Sequence, residues 1–367
     1  MMHDDLLPRD TPVCLINADG HGVDDPLYRA PDAERLRRAY RSLVEGRRIN
    51  DQASALVRQG RLAVYPSSHG QEACQVAAAL VLGEDDWLFP TYRDAVAIIG
   101  RGVPAAETMT LLAGDWHCGY DPAAHRVAPQ ATPLATQLLH AVGFAQAARH
   151  RGEDTVVLAL CGDGATSEGD FHEAMNFAAV FHLPVVFFVQ NNGFAISVPL
   201  SRQSVAPSLA HKAIGYGIPG QRVDGNDVAA LLAVLDEAVQ RARSGGGPSL
   251  VEAHTYRMQA HTNADDDTRY REREEVQAWI ARDPLTRLRT HLVSRGALTP
   301  EDEQSIAASA ERIADELRIA LNEDAQLDPE DLFRHVTAER SPQLEEQWRM
   351  LQDELRRESL AETGGRA

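Results

Sequence analysis

Residues 155–192 read TVVLALCGDGATSEGDFHEAMNFAAVFHLPVVFFVQNN. This stretch contains two short apolar runs, at residues 155–161 and 184–190, and each run predicts a buried β-strand. Between them, apolar residues recur at helical spacing, so residues 167–182 are predicted to form a helix with Ser167 as its N-cap. A strand, a helix and a second strand in this order predict two parallel strands joined by a crossover.

The two predicted strands run into Asp163 and Asn192. Both residues should therefore emerge at the same carboxyl edge of the sheet, where open α/β sheets bind ligands. A carboxylate and an amide oxygen are hard ligands, which suit Mg²⁺ or Ca²⁺ better than zinc. Gly162 and Gly164 allow a diphosphate to approach the backbone closely. Gly-Asp-Gly alone is also typical of an ordinary turn, and the paired asparagine makes the pattern specific.

The composition indicates a globular protein with a full core. The chain has 367 residues, 44% hydrophobic and 25% charged, which predicts one large α/β domain with a smaller appendage. A net charge of -18 argues against nucleic acid or an anionic membrane as a partner. The four cysteines form no CxxC pair, so neither a disulfide framework nor a zinc site is expected. We recognise neither a signal sequence nor a transmembrane segment, and expect a cytoplasmic protein.

The order of patterns along the chain predicts three regions. Residues 1–30 carry turn formers and little periodicity, and we expect them to form an arm that lies on a partner. Residues 31–290 alternate strand and helix patterns and should form the α/β domain. Residues 291–367 are helical and highly charged, and their last part, residues 361–367, is expected to be disordered.

The motif occurs here as GDGATSEGDFHEAMNFAAVFHLPVVFFVQNNGFAIS, residues 162–197. It resembles the alpha subunits of the thiamine-diphosphate-dependent 2-oxo acid dehydrogenases, the decarboxylating first components of the pyruvate and branched-chain complexes. The similarity extends from about Pro31 to Gly296. It implies the thiamine-diphosphate-binding α/β fold, a parallel sheet with helices on both faces, together with an N-terminal arm and C-terminal helices. It also implies thiamine diphosphate and Mg²⁺ as cofactors.

The resemblance assigns Mg²⁺ ligands to Asp163, Asn192 and the backbone carbonyl of Phe194. Tyrosine is usual at this last position, but a backbone contact does not need its hydroxyl. In an isolated Tyr-Arg pair a surface salt bridge would be the ordinary interpretation, whereas here the arginine fork suits a diphosphate. The implied cofactor-binding residues, besides the metal ligands Asp163 and Asn192, are Tyr92, Arg93, Thr132, Leu134, Gly164, Ala165 and His261.

The segment ATPLATQLLHAVG, residues 131–143, carries a second implied ion site. By itself it reads as an N-cap at Thr132 followed by a buried helix. In branched-chain relatives a similar segment holds the aminopyrimidine ring through backbone groups, here those of Thr132 and Leu134, and binds potassium nearby. The potassium ligands would be the backbone oxygens of Ala131 and Pro133 and the side chains of Thr136 and Gln137.

His261 follows a predicted strand, in the loop TYRMQAHTNADDDTRYR. Most histidines are structural or merely exposed, but this one lies at the predicted cofactor edge. An imidazole with an ordinary pKa of about 6.5 can donate to a diphosphate or a substrate carboxylate and exchange protons near neutrality. The resemblance implies a catalytic histidine here, on a loop that orders when cofactor binds. The next residue, Thr262, is a regulatory phosphoserine in mitochondrial relatives; we predict the ordering but not the phosphorylation.

The substrate is predicted from conflicting signals. Residues 132–137 and 215–228 and the C-terminal segment resemble branched-chain members, which favours 3-methyl-2-oxobutanoate and related 2-oxo acids. Residues 59–73 and Gln190 resemble pyruvate-type bacterial members, so a pyruvate dehydrogenase alpha subunit is the alternative. Gln190 also replaces an arginine that contacts the diphosphate in branched-chain relatives, which weakens that contact by roughly 1–3 kcal/mol.

The resemblance implies an α2β2 assembly, with a beta subunit that supplies the glutamate facing the aminopyrimidine ring and a lipoyl acyltransferase core that receives the acyl group. The reaction would be oxidative decarboxylation of a 2-oxo acid with reductive acylation of a lipoyl group. A non-catalytic cofactor-binding paralogue is a less favoured interpretation, because the metal and diphosphate residues are intact. A dinucleotide-binding protein is disfavoured since no GxGxxG opens a helix after the relevant strand.

Overall fold

The computed structural model describes residues 6–115, 118–322, 328–334 and 336–364. These residues fall into two compact units, Met1–Leu321 and Asn322–Ala367. The first unit contains an α/β sandwich. The helices of the chain are α1 (Ala33–Arg58), α2 (Glu72–Leu80), α3 (Ala95–Gly100), α4 (Ala105–Met109), α5 (Pro122–His125), α6 (Thr136–Arg151), α7 (Gly169–Val180), α8 (Val228–Arg243), α9 (Arg273–Ile280), α10 (Pro284–Ser294), α11 (Pro300–Ala320), α12 (Asp331–Arg334) and α13 (Pro342–Gly364).

The strands of the first unit are β1 (Trp87–Phe89), β2 (Val157–Gly162), β3 (Val185–Asn191), β4 (Phe194–Ala195), β5 (Val198–Pro199), β6 (Gly220–Asp224) and β7 (Ser249–His254). Five of them form one sheet in the order β1-β2-β3-β7-β6, and every neighbouring pair is parallel. The strands β4 and β5 form a separate antiparallel hairpin. The predicted α/β fold with a parallel sheet is confirmed.

Alternate residues of the central strands enter two different cores, because successive side chains point to opposite faces of a sheet. Val157 and Phe187 pack with α6 and α7 on one face. Leu158 and Phe188 pack with α2, α3 and α8 on the other. All four side chains are fully buried, which explains why the predicted strands read as continuous apolar runs. Truncating either phenylalanine to alanine would cost about 3–5 kcal/mol of stability.

The helix predicted at residues 167–182 is present as α7 but starts later, after a separate turn. A 3₁₀ turn covers Gly164–Ser167, and α7 begins only at Gly169. The prediction that Ser167 caps this helix was wrong, because its N-cap is Glu168. The turn is tight because both the backbone N–H and the hydroxyl of Thr166 donate to the carbonyl of Asp163, at 3.1 and 2.8 Å.

The N-terminal arm lies against its own chain over residues 13–16. Val13 pairs with β6 as a parallel bridge, exchanging two backbone hydrogen bonds of 2.9 Å. The carboxylate of Asp227 accepts the backbone N–H groups of Leu15 and Ile16, at 2.6 and 2.7 Å. The arm therefore covers the exposed edge of β6, which would otherwise carry unpaired backbone groups. Its predicted contact with a partner stays a prediction.

The first unit extends past residue 290, the predicted end of the α/β domain, because α11 packs along α1. Leu317 of α11 is buried with Ile49 of α1, and the hydroxyl of Ser309 donates to Glu45 at 2.8 Å. In the second unit, Phe333 contacts Trp348 with ring centroids 5.6 Å apart. The helix α13 runs to Gly364, into the segment predicted to be disordered, and residues 365–367 lie outside the described residues.

None of the described helices has the length and apolar composition that a membrane span needs.

Candidate active site

Asp163 and Asn192 meet at the carboxyl edge of the sheet, as the sequence predicts. The parallel register pairs Gly162 with Gln190, so the two chain ends leave the sheet side by side. Asp163 and Asn192 line the same cavity at this edge. Both side chains are buried, at 1% and 6% exposure. A buried carboxylate beside an amide oxygen forms the core of a hard-cation site.

A cavity of about 210 Å³ opens at this edge. It is lined by nine of the residues named from the sequence: Tyr92, Arg93, Leu134, Asp163, Gly164, Ala165, Asn192, Phe194 and His261. Thr132 is exposed and is not among the lining residues. The reason is that α6 begins at Thr136, after a left-handed turn at Ala135, so the segment before it forms an irregular loop rather than an N-cap at Thr132.

Gly164 is required by a close approach between two loops. A Cβ atom at this position would lie 2.7 Å from the Cβ atom of Ala195, which belongs to the β4–β5 hairpin. No such contact would arise at Gly162, where the surrounding space is open. The glycine therefore allows the hairpin, with the backbone carbonyl of Phe194, to pack directly on the turn that carries Asp163.

Gln203, which the sequence analysis missed, also holds the Asp163 carboxylate. Its Nε2 atom donates to Oδ2 of Asp163 at 2.8 Å and to the carbonyl of Val198 at 2.9 Å. Burial raises the pKa of Asp163, and this amide donor is the largest effect opposing that rise. A bound cation would oppose it further, because the ionised form is the one that ligates metal.

Two buried arginines line the same cavity as Asp163. Arg93 and Arg257 are 6% and 1% exposed, and both line the cavity. Arg93 donates to the carbonyl of Ser67 at 2.9 Å, and Arg257 donates to the carbonyl of Ile196 at 2.8 Å. Within the described residues, neither guanidinium lies within 4.0 Å of a carboxylate oxygen. Buried cations are costly unless an anion accompanies them, so the site fits an anionic ligand.

His261 is held by the same two arginines. Its Nδ1 atom faces Nη2 of Arg93 at 3.0 Å and Nη1 of Arg257 at 3.3 Å, and its backbone N–H donates to Asp265 at 2.8 Å. Because a guanidinium can only donate, Nδ1 must accept, and the imidazole proton lies on Nε2. Burial, together with these two positive charges, lowers the pKa of His261 from 6.5 to about 4.

This pKa corrects one expectation from the sequence. Proton exchange by His261 near neutrality does not fit the ligand-free protein, in which the imidazole is neutral. A neutral imidazole with its proton on Nε2 is instead a hydrogen-bond donor with a fixed tautomer. An anion bound beside the two arginines would raise the pKa again by offsetting their charge.

Amide side chains connect the base of the cavity. Gln190 donates to Asp94 at 2.7 Å, and Gln71 lies between Gln190 and Asn192. From the sequence, Gln190 is a sign of substrate type and of a weaker diphosphate contact, and Gln71 belongs to a segment that indicates substrate type. Arg257 was not predicted, although it lies four residues before His261 in the same loop.

The side chains predicted for a potassium site lie at the start of α6, outside the cavity lining. The Thr136 hydroxyl donates to Asp170 at 3.0 Å, which leaves its oxygen lone pairs free to ligate. Gln137 donates to the carbonyl of Leu160 at 2.8 Å, and its Oε1 atom is buried without a partner among the described residues. An unpaired buried acceptor fits a cation site.

The described residues contain no cluster of three or more His, Cys, Asp or Glu side chains suited to a metal. The carboxylate of Asp163 and the amide oxygen of Asn192, with Phe194 beside them in the cavity lining, fit Mg²⁺. This ion takes few protein ligands and fills its shell with water and phosphate oxygens. The chemistry of this donor set, with cationic side chains opposite it, fits a magnesium diphosphate group.

A comparison with known families identifies the chain. The model of the family described as dehydrogenase E1 component matches residues 40–330. The chain belongs to the dehydrogenase E1 component family. This E1 chain is 48% identical, over 94% of its length and 95% of the relative, to a 3-methyl-2-oxobutanoate dehydrogenase subunit alpha of Mycobacterium tuberculosis. It is 37% identical, over 85% of its length and 84% of the relative, to a pyruvate dehydrogenase E1 component subunit alpha of Staphylococcus aureus. A pyruvate dehydrogenase E1 component subunit alpha of Acholeplasma laidlawii is 34% identical over 90% of this chain and 96% of the relative.

Proposed function

We propose that this chain is the alpha subunit of a branched-chain 2-oxo acid dehydrogenase. With a beta subunit it would catalyse thiamine-diphosphate-dependent oxidative decarboxylation of acids such as 3-methyl-2-oxobutanoate and transfer the acyl group to a lipoyl group. The observation that carries the proposal is the cavity with two buried arginines free of carboxylate partners, among the described residues, opposite a buried Asp163–Asn192 pair. This arrangement supports the binding of an anion and a cation together.

Three groups of residues would hold the cofactor. Asp163, Asn192 and the carbonyl of Phe194 would bind Mg²⁺, and Arg93, Arg257, Tyr92 and His261 would bind the diphosphate. Backbone groups of Thr132, Leu134, Gly164 and Ala165 would complete the site, and a potassium ion would lie between Ala131, Pro133, Thr136 and Gln137. When bound, thiamine diphosphate supplies the carbon nucleophile and electron sink that decarboxylation needs.

The protein's own contribution is positioning and charge. The arginines offset the diphosphate charge in a buried site, where an unscreened interaction is stronger than in water. His261 would act through its Nε2–H, donating to the diphosphate or to a substrate carboxylate, since its Nδ1 atom faces the two arginines. The loop that carries His261 is held by Asp265, whose carboxylate accepts hydrogen bonds from the backbone N–H of His261 and from the hydroxyl of Tyr270.

The partners remain proposals. We infer an α2β2 assembly in which a beta subunit supplies the glutamate that faces the aminopyrimidine ring. No glutamate of this chain has a sequence context that suits this role. A lipoyl acyltransferase core would receive the product. We also place the protein in the cytoplasm.

Steady-state rates of the complex reconstituted with its beta subunit test the proposal. We expect higher kcat/KM with 3-methyl-2-oxobutanoate than with pyruvate, and little decarboxylation by this chain alone. A preference for pyruvate would favour the alternative, a pyruvate dehydrogenase alpha subunit, which the pyruvate-type relatives at 37% and 34% identity make the second candidate. Full activity without a beta subunit would contradict the assignment to an alpha subunit.

A cofactor-binding experiment distinguishes an enzyme from a non-catalytic paralogue. Thiamine diphosphate titration in the presence of Mg²⁺ should show saturable binding to the assembled complex, and Asp163→Ala should abolish it. Binding without turnover of any 2-oxo acid in the complete complex would indicate the paralogue.

A further inference from the structure

Four buried side chains form a continuous chain of hydrogen bonds beneath the cavity. Gln190 Nε2 donates to Asp94 Oδ1 at 2.7 Å. Gln71 Nε2 donates to Gln190 Oε1 at 3.3 Å, and Asn192 Nδ2 donates to Gln71 Oε1 at 3.0 Å. Their exposed fractions run from 0% to 6%, so water is largely excluded and these bonds satisfy the groups. We name these four residues the amide relay.

The direction of every bond in the relay follows from its first member. Asp94 Oδ2 accepts both the backbone N–H and the hydroxyl of Thr91, each at 2.7 Å. Burial raises the pKa of Asp94, and the donors on Gln190 and Thr91 oppose that rise because they favour the ionised form. An ionised carboxylate can only accept, so with it Gln190 presents its NH₂ group to Asp94 and its oxygen to Gln71. Since Gln71 donates to Gln190 through its NH₂ group, its oxygen faces Asn192, which therefore donates with its own NH₂ group. Each amide is therefore left with one satisfied orientation.

We propose that the amide relay orients Asn192 so that its Oδ1 atom, and not its NH₂ group, is offered to the divalent cation. The inference rests on the proposed function, since the cation belongs to the proposed cofactor. The backbone N–H of Phe194 donates to the same Oδ1 atom at 3.2 Å and supports the orientation from the other side. A flipped amide would present two partially positive hydrogens to the ion and lose one ligand. Gln71, Gln190 and Asp94 are thus positioning residues.

Glutamine at position 190 is necessary for this relay. Arginine would still donate to Asp94, but it carries no acceptor, so Gln71 Nε2 would lose its partner. Residue 190 must accept from Gln71 and donate to Asp94, and residue 71 must donate to Gln190 and accept from Asn192.

The relay is tested by Mn²⁺ binding to the complex assembled with its beta subunit in the presence of thiamine diphosphate, followed by the electron paramagnetic resonance of free Mn²⁺. Gln71→Met keeps the side-chain volume and removes both hydrogen bonds. We expect its Mn²⁺ dissociation constant to rise roughly 10–100-fold, as for other residues that orient a metal ligand. The Mg²⁺ concentration that gives half-maximal rate should rise by the same factor.

Gln75→Met is the matched control. Gln75 lies one turn further along the same segment, is 0% exposed, and makes two hydrogen bonds outside the relay, to the carbonyl of Arg93 and from the N–H of Val96, each at 3.1 Å. This variant should lose stability without changing Mn²⁺ affinity. A purely structural effect of burying methionine would move both variants alike.

Gln190→Met tests the relay from its other end by the same Mn²⁺ measurement. It also serves as the test if the Gln71→Met chain does not assemble with its beta subunit. Because residue 190 acts through residue 71, the two substitutions should not add. The double variant, Gln71→Met with Gln190→Met, should have a Mn²⁺ dissociation constant no higher than the larger of the two single-variant values. Unchanged Mn²⁺ affinity in Gln71→Met, or fully additive effects in the double variant, would overturn the relay. Failure of the wild-type complex to bind Mn²⁺ would instead overturn the proposed function.

Discussion

Gln203 Nε2 lies 2.8 Å from Oδ2 of Asp163 and connects two loops that are distant in sequence. The same nitrogen donates to the carbonyl of Val198, so both its hydrogens have acceptors. If the Gln203 amide flipped, its oxygen would face two acceptors, the Asp163 carboxylate and the Val198 carbonyl. The hydrogen bond thereby fixes Oδ2 of Asp163 and restricts the orientation in which the carboxylate can bind an ion.

Gln203→Met should weaken Mg²⁺ binding by roughly 10–100-fold, because the carboxylate loses the donor that orients it. Isothermal titration of the complex with thiamine diphosphate measures this. Arg202→Met is the control, since Arg202 is the exposed neighbour in the same turn. Equal Mg²⁺ affinity in the wild type and Gln203→Met would show that the hydrogen bond has no influence on the ion.

Asp163→Asn should abolish Mg²⁺-dependent cofactor binding and stabilise the metal-free chain. Burial raises the pKa of Asp163, so the wild type loses stability as the pH rises from 3.8 through that raised value, and the amide removes this loss. A gain of about 1 kcal/mol corresponds to roughly 2–4 °C in melting temperature. Calorimetry in chelator measures it.

The exposed carboxylate of Asp85 provides the control for this substitution, and Asp85→Asn should change neither quantity. A lower melting temperature for metal-free Asp163→Asn would contradict the expectation that the buried charge is destabilising.

His261→Asn should reduce the acid sensitivity of the cofactor-free protein. Burial and the neighbouring arginines lower the pKa of His261 to about 4, so the unfolded chain binds a proton between pH 6.5 and 4 that the folded chain does not. The wild type therefore loses stability as the pH falls through this range, and the asparagine variant should lose less. Melting temperatures across that range decide the matter, and parallel curves for the two proteins would refute the assignment.

Gln137→Leu should remove a potassium-dependent stabilisation. A cation that binds only the folded state at one hundred times its dissociation constant contributes about 2.7 kcal/mol. The wild-type complex should melt at a higher temperature in potassium chloride than in sodium chloride of equal ionic strength. Gln137→Leu should show no such difference, whereas Gln146→Leu, on the same helix, should retain it. A wild type indifferent to potassium would remove the case for the site.

Much of the site could be predicted because its chemistry lies at the ends of two recognisable strands. The apolar runs before Asp163 and Asn192 are long enough to be read as strands, and parallel pairing then places both residues at one edge. The N-cap at Ser167 was wrong because the hydrogen bonds of Thr166 to the Asp163 carbonyl form a 3₁₀ turn first. Gln203 was missed because its contact joins two loops with no common periodicity.

The amino-acid sequence by itself determined the parallel α/β fold, the meeting of Asp163 with Asn192 and the family of the chain, since these follow from local patterns and short-range spacing. Only the tertiary structure decided which groups surround that pair: the buried Arg257, the neutral His261 with its proton on Nε2, and the direction of the amide relay. Burial and hydrogen-bond polarity depend on residues brought together from distant parts of the chain, and no local pattern records which donor will face which acceptor.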